Sequence, residues 1–127
     1  DLEYPFYVEE GHGVLAGKID LVREKKNRLE IVEFKFNQNP MLNDYPRLQL
    51  EHYSLAYPEE KPRLLAHYLK EEKEEEFFLP DPKRVREDIG KTFSDIRQGI
   101  FTATPSKQKC KVCPMSFACS EKARVRK

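Results

Sequence analysis

No apolar run in this sequence approaches the roughly 20 residues that a membrane-spanning helix needs, and no secretory leader pattern opens it. A membrane partner is therefore not expected. Charge of one sign is also lacking: 23 Lys and Arg against 22 Asp and Glu leave a net +1, so no overall basic field announces a polyanionic partner. No cysteine precedes Cys110, and the three present, Cys110, Cys113 and Cys119, crowd one short window. An odd, clustered set argues against a secreted disulfide framework. It points to a reducing compartment, the cytoplasm, with thiolates available as metal ligands. The first residue is Asp1 rather than Met, and Asp1 to Val8 already reads as the middle of a strand. The segment is expected to be a piece of something longer, truncated at its N-terminus.

What is present suits one domain over residues 1–127. Its 39% apolar and 35% charged residues fit a globular core under a densely charged surface. Charge is uneven locally. From residue 100 onward the chain is a cysteine-rich basic tail, with Lys107, Lys109, Lys111, Lys122, Arg124, Arg126 and Lys127 against Glu121 alone. Such a patch can steer a phosphate backbone, and it equally fits a solvated terminus.

Pro5 to Val8, Val14 to Val22 and Arg28 to Phe36 read as strands, with Arg23 to Asn27 as a polar hairpin loop and Asn39-Pro40 ending the third. Leu48, Leu50, Tyr53, Leu55 and Ala56 then recur at helical spacing from Asp44 to Tyr57, with Pro46 in the first turn. Arg63 to Leu69 and Glu76 to Leu79 read as two more strands around an acidic hairpin tip, Glu71 to Glu75. Asp81-Pro82 is a helix cap and first turn; Val85, Ile89, Phe93 and Ile96 mark that helix to about Gly99. The fold class is α/β, a central mixed sheet flanked by helices.

The chemistry concentrates on the second and third strands. Glu33 and Lys35 share a face with Ile31. Pairing Arg23 with Arg28 sets Asp20 opposite Ile31 and one diagonal step from Glu33, while Ile19, Val32 and Phe34 take the other face as core. Two carboxylates and a lysine on one patch suit phosphodiester hydrolysis. The carboxylates can hold Mg²⁺, the ion activates water, and the lysine steadies developing charge. E-x-K alone is common in so charged a chain. On the helix, Gln49 and Tyr53 share a face and can donate hydrogen bonds; His12, His52 and His67 read as surface or satisfied histidines.

In this order, Gly17-Lys18-Ile19-Asp20, Glu33-Phe34-Lys35 and Gln49 to Tyr53 resemble the PD-(D/E)XK nuclease superfamily. They look closest to its RecB-like branch, which includes nuclease domains of UvrD/Rep-type and AddAB helicase–nucleases and CRISPR-associated exonucleases. The resemblance implies a restriction-endonuclease-like core and Mg²⁺- or Mn²⁺-dependent cutting of DNA, single-stranded or with free ends, in repair or recombination. It implies metal held by Asp20, Glu33 and the Phe34 carbonyl, Lys35 serving the attacking water, and Gln49 and Tyr53 lining the substrate groove. Helicase domains would be partners in the same or an associated chain, and Lys107, Lys109 and Lys111 would help hold DNA.

The same resemblance implies that the C-x2-C-x5-C knuckle of Cys110, Cys113 and Cys119 supplies three of four thiolates to a [4Fe–4S] cluster, the fourth ligand lying outside this chain. Zinc and plain structural thiols remain alternatives. The family's further His or Glu on an upstream helix has no counterpart; Glu3 reads as solvated strand edge. Two rival readings stand beside the nuclease: a non-catalytic DNA-binding or structural module of the same fold, and a metal-cluster interaction domain.

Overall fold

A computed structural model describes residues 2–11, 13–38 and 44–121. His12, the strand end expected at Asn39-Pro40, and the basic residues Lys122, Arg124, Arg126 and Lys127 lie outside them. Among the described residues eight elements follow one another: β1 (Leu2–Glu10), β2 (Gly13–Lys25), β3 (Arg28–Lys35), α1 (Asp44–Ser54), β4 (Arg63–Tyr68), β5 (Lys73–Phe77), α2 (Pro82–Arg97) and α3 (Lys107–Val112). The sheet keeps sequence order, β1-β2-β3-β4-β5. Every pairing is antiparallel except β3 with β4, which run parallel across the connection that contains α1. This mixed sheet with packed helices is the α/β core expected from sequence.

The hairpin between β2 and β3 is tighter than the polar run Arg23–Asn27 suggested. Lys25 pairs with Arg28, leaving only Lys26 and Asn27 in the turn, both with positive φ (53° and 61°). Two successive left-handed residues make the turn whose twist matches paired strands. Arg23 therefore faces Glu30, not Arg28. The shift is two residues, so the faces survive and only the partners change. In the same way β5 begins at Lys73, so most of the supposed acidic tip lies in a strand.

Burial along β2 breaks step. Gly17 and Ile19 alternate with exposed Ala16 and Lys18, yet the next buried residue is Val22. Ile19 and Val22 both join the core beneath the helices, with Phe6, Val8, Ile31, Leu50, Tyr53, Leu64, Ala66, Tyr68, Val85 and Ile89. Facing therefore shifts by one residue between them. The β1–β2 register is the same on both sides of this step, Leu2↔Leu21 and Tyr4↔Ile19, with the pair at Asp20 missing, and β2–β3 stops at Leu21↔Val32. Glu3, beside this step, has φ +52°. The expectation that Ile19, Val32 and Phe34 share an opposite core face is corrected here. Ile19 lies under the helices, Val32 is buried outside that cluster, and Phe34 is 36% exposed.

Helix ends follow local chemistry. The Asp81 carboxylate accepts the Lys83 N–H at 3.1 Å and Pro82 opens α2. At its far end Gly99 (φ +72°) lets the Gly99 and Ile100 N–H groups bond back to Ile96 and Asp95 carbonyls, a closure that favours glycine. Ile96, expected in the apolar stripe, is half exposed. The helix α1 ends at Ser54, and its last carbonyls are taken by the tightened turns of Leu55, Ala56 and Tyr57.

On the sheet's other face, Glu30 is 1% exposed and held from two sides, by Arg23 Nε and Arg63 Nη1, each at 2.7 Å. Arg63 also makes a two-pronged contact with Glu76, and Arg23 reaches Glu74 at 3.0 Å. Two arginines thus hold Glu74 and Glu76 of β5, while Glu75 accepts from the Tyr68 hydroxyl at 3.1 Å. Glu30→Ala, which strips the buried centre, is expected to cost about 2 kcal/mol, below a fully buried pair because both arginines are partly wet. Glu76→Ala at the exposed edge should stay within about 1 kcal/mol. Urea melts of both variants check the contrast, and equal losses would contradict it.

Candidate active site

The slip at Asp20 has a chemical consequence. Where the ladder stops, the Asp20 side chain replaces it: Oδ2 accepts the Phe34 N–H at 2.9 Å. This ties the carboxylate to β3 beside Glu33. Continuing the observed register places Asp20 directly across from Glu33, closer than the diagonal relation expected.

Glu33 is 5% exposed under α1. One oxygen, Oε1, lies 3.0 Å from Lys35 Nζ; the other, Oε2, is buried with no hydrogen-bond partner. Burial raises the Glu33 pKa, the Lys35 ammonium opposes this, and the charge of the Asp20 carboxylate adds to the rise. An orphaned, desolvated carboxylate oxygen beside a second carboxylate is costly unless a cation completes it.

The helix α1 covers this patch with two side chains one turn apart. Gln49 Oε1 accepts from Lys35 Nζ at 2.8 Å, which leaves the amide NH₂ free to donate. Lys35 is thereby held between Glu33 and Gln49. Tyr53 is 8% exposed, with its ring edge-on to Phe6 at 5.1 Å between centroids. Burial, then the charges of Glu33 and Asp20, push its phenol up to about 12, so it stays protonated and can only donate toward an anion at neutral pH. Gly17 explains itself here, since a Cβ on it would stand 3.0 Å from Phe6 and 3.9 Å from Tyr53. All five side chains expected to act, Asp20, Glu33, Lys35, Gln49 and Tyr53, therefore meet at one place. The Phe34 contribution found is its N–H, given to Asp20.

Other expectations fall elsewhere. His67 stacks edge-on to Phe34, and His52 is half-buried on α1, where burial holds its imidazole below the ordinary value. Cys110, Cys113 and Cys119 carry thiols, not disulfides, and line one cavity of about 410 Å³ against Tyr45 of α1. Among the described residues no group of three or more His, Cys, Asp or Glu gathers as a metal site. Three thiols do not complete the four-thiolate set of an iron–sulfur cluster. Lys107, Lys109 and Lys111 are exposed on α3.

Sequence reasoning missed Glu51, a 6% exposed carboxylate gripped by Arg47 of its own helix and Arg84 of α2. It locks α1, and with it Gln49 and Tyr53, to α2. The Arg47–Glu51 spacing of four was a visible signal; the contact from Arg84 had none.

A sequence model of the PD-(D/E)XK nuclease superfamily matches residues 2–120. No curated protein and no solved structure matches the chain.

Burial that raises the Glu33 pKa has a stability sign. The folded state holds this proton more tightly than the unfolded one, so Glu33 lowers stability progressively as pH rises above the ordinary 4.5. Without divalent cations, Glu33→Gln is expected to melt higher than wild type at neutral pH, the gain shrinking as pH falls toward 4.5. Thermal melts in EDTA across that range check it; a variant less stable at neutral pH than wild type would refute the sign.

Proposed function

This chain belongs to the PD-(D/E)XK nuclease superfamily, and on that premise we propose that it is a divalent-cation-dependent deoxyribonuclease whose active site is Asp20, Glu33, Lys35, Gln49 and Tyr53. The observation that carries the reading is the buried, unpartnered Glu33 Oε2 beside Asp20. These residues fit a hard dication: two carboxylates with room for water are what Mg²⁺ or Mn²⁺ takes in phosphate chemistry. Asp20, Glu33 and the Phe34 carbonyl would hold it. When bound, the ion lowers the pKa of water and offsets charge on the scissile phosphate.

The protein's own groups do the rest. Hydrolysis adds the hydroxyl of water to phosphorus, breaks one P–O bond and passes a proton to the departing oxygen. Lys35 is pinned by Glu33 and Gln49, so its positive charge is already in place where negative charge grows and needs no reorganisation. The neutral Tyr53 phenol and the Gln49 amide donate toward the substrate backbone. The basic face of α3 supports a reading in which Lys107, Lys109 and Lys111 contact backbone phosphates.

We extend the reading to single-stranded ends processed in repair or recombination, as in RecB-like helicase–nucleases. The motif order and the terminal cysteine knuckle support it. The knuckle joins an iron–sulfur site only with a fourth ligand from outside this chain.

The test is cleavage of end-labelled single-stranded DNA with Mg²⁺ or Mn²⁺. Wild type should cut, EDTA should stop it, and Lys35→Ala should lose at least about a hundredfold in rate, the scale of one preorganised stabilising group, while still binding DNA. A folded, DNA-bound protein that cuts with neither metal, or a Lys35→Ala variant as fast as wild type, would overturn the assignment.

A further inference from the structure

Tyr45 stands four residues before Gln49, as Gln49 stands four before Tyr53, so the three lie along one stripe of α1. The stripe climbs out of the core. Tyr53 is 8% exposed, Gln49 is half-buried on Lys35, and Tyr45 is 55% exposed. At 1.5 Å per residue, Tyr45 lies about 6 Å along the helix from Gln49, within one or two nucleotides of a phosphate held at Lys35.

Beyond Tyr45 the surface is hollow. Its side chain forms one wall of the cavity of about 410 Å³, with Pro105, Val112 and Pro114 among the others. Lys109 also lines this cavity, and its Nζ is fixed by the Thr104 carbonyl and hydroxyl at 3.4 and 3.2 Å. The cavity therefore sets an aromatic side chain and an anchored cation among apolar residues, the three cysteines and Glu121, and Tyr45 links it to the helix that carries Gln49 and Tyr53. This set matches a nucleobase, which stacks on an aromatic face, with its phosphate drawn to the lysine. A base paired within a duplex is stacked between neighbours and cannot turn its face to a side chain.

The geometry points to Tyr45 as the stacking platform for the base next to the cleaved bond, the residue that selects single-stranded over double-stranded DNA. The inference rests on the nuclease reading. Its test is binding, so the two can fail separately. In a Lys35→Ala background, a fluorescein-labelled single-stranded oligothymidylate and a blunt duplex of equal length are titrated by anisotropy. Tyr45→Ala should weaken single-strand binding at least about fivefold, the low end of what one stacked base contributes. Duplex binding should barely move, and Tyr45→Phe and Tyr45→Trp should keep single-strand affinity. Phe78→Ala, which removes a 96% exposed aromatic outside this cavity, should change neither. Unchanged single-strand affinity in Tyr45→Ala, or equal losses on both substrates, overturns the platform; if wild type still cuts DNA, the nuclease reading survives. A Lys35→Ala protein that binds neither substrate, from a wild type that does not cut, sinks both.

Discussion

A carboxylate kept almost out of water, with one oxygen unmatched, governs how this domain is put together. Glu33 sits on a central strand, under a helix, next to Asp20, and each neighbour answers to it. Lys35 leans back onto one oxygen, and Gln49 holds that lysine from above. Tyr53 is kept protonated partly by the same negative charge. A core designed only for stability would place an apolar residue at this position. The fold tolerates the charge because packing elsewhere is apolar and continuous, from Phe6 and Ile19 through Ile31 and Leu64 to Val85 and Ile89. That surplus of ordinary packing lets one costly group persist.

The two sheet faces divide the labour. Under α1 and α2 the sheet is apolar except for the site. On the far face, a buried carboxylate again lies between strands, but here Arg23 and Arg63 satisfy both oxygens of Glu30. Three residues apart on one strand, the two glutamates meet opposite fates. The satisfied one ties strands together; the unsatisfied one is left with capacity to bind. The contrast between the two buried charges lies in partner count, not in depth.

Much of this was legible in the sequence. Strand period placed Glu33 and Lys35 on one face, and helical period put Gln49 and Tyr53 on another, because both patterns are local. The α2 boundaries followed from Asp81, Pro82 and Gly99 for the same reason. What failed depended on backbone states that composition does not declare. Lys26 and Asn27 take left-handed conformations, which tightens the hairpin and moves Asp20 opposite Glu33. The slip in β2 that turns Ile19 inward is invisible in Gly-Lys-Ile-Asp-Leu-Val, where apolar and polar residues permit either phase. Glu71 to Glu75 read as a hairpin tip because Arg23, which neutralises Glu74, comes from β2, far away in sequence. Glu51 was overlooked inside a motif whose other members drew the attention.

The parallel pairing of β3 with β4 carries a temporal consequence. Every other strand pair joins sequence neighbours through a short turn and can zip up early. Only β3–β4 must wait for the whole intervening stretch, including α1, to come round and dock. Lys35 is on one side of that closure and Gln49 on the other. A chain leaving the ribosome would thus display its carboxylates on a hairpin while lacking the helix that orients its lysine. The geometry of the candidate site is therefore completed only when the sheet is.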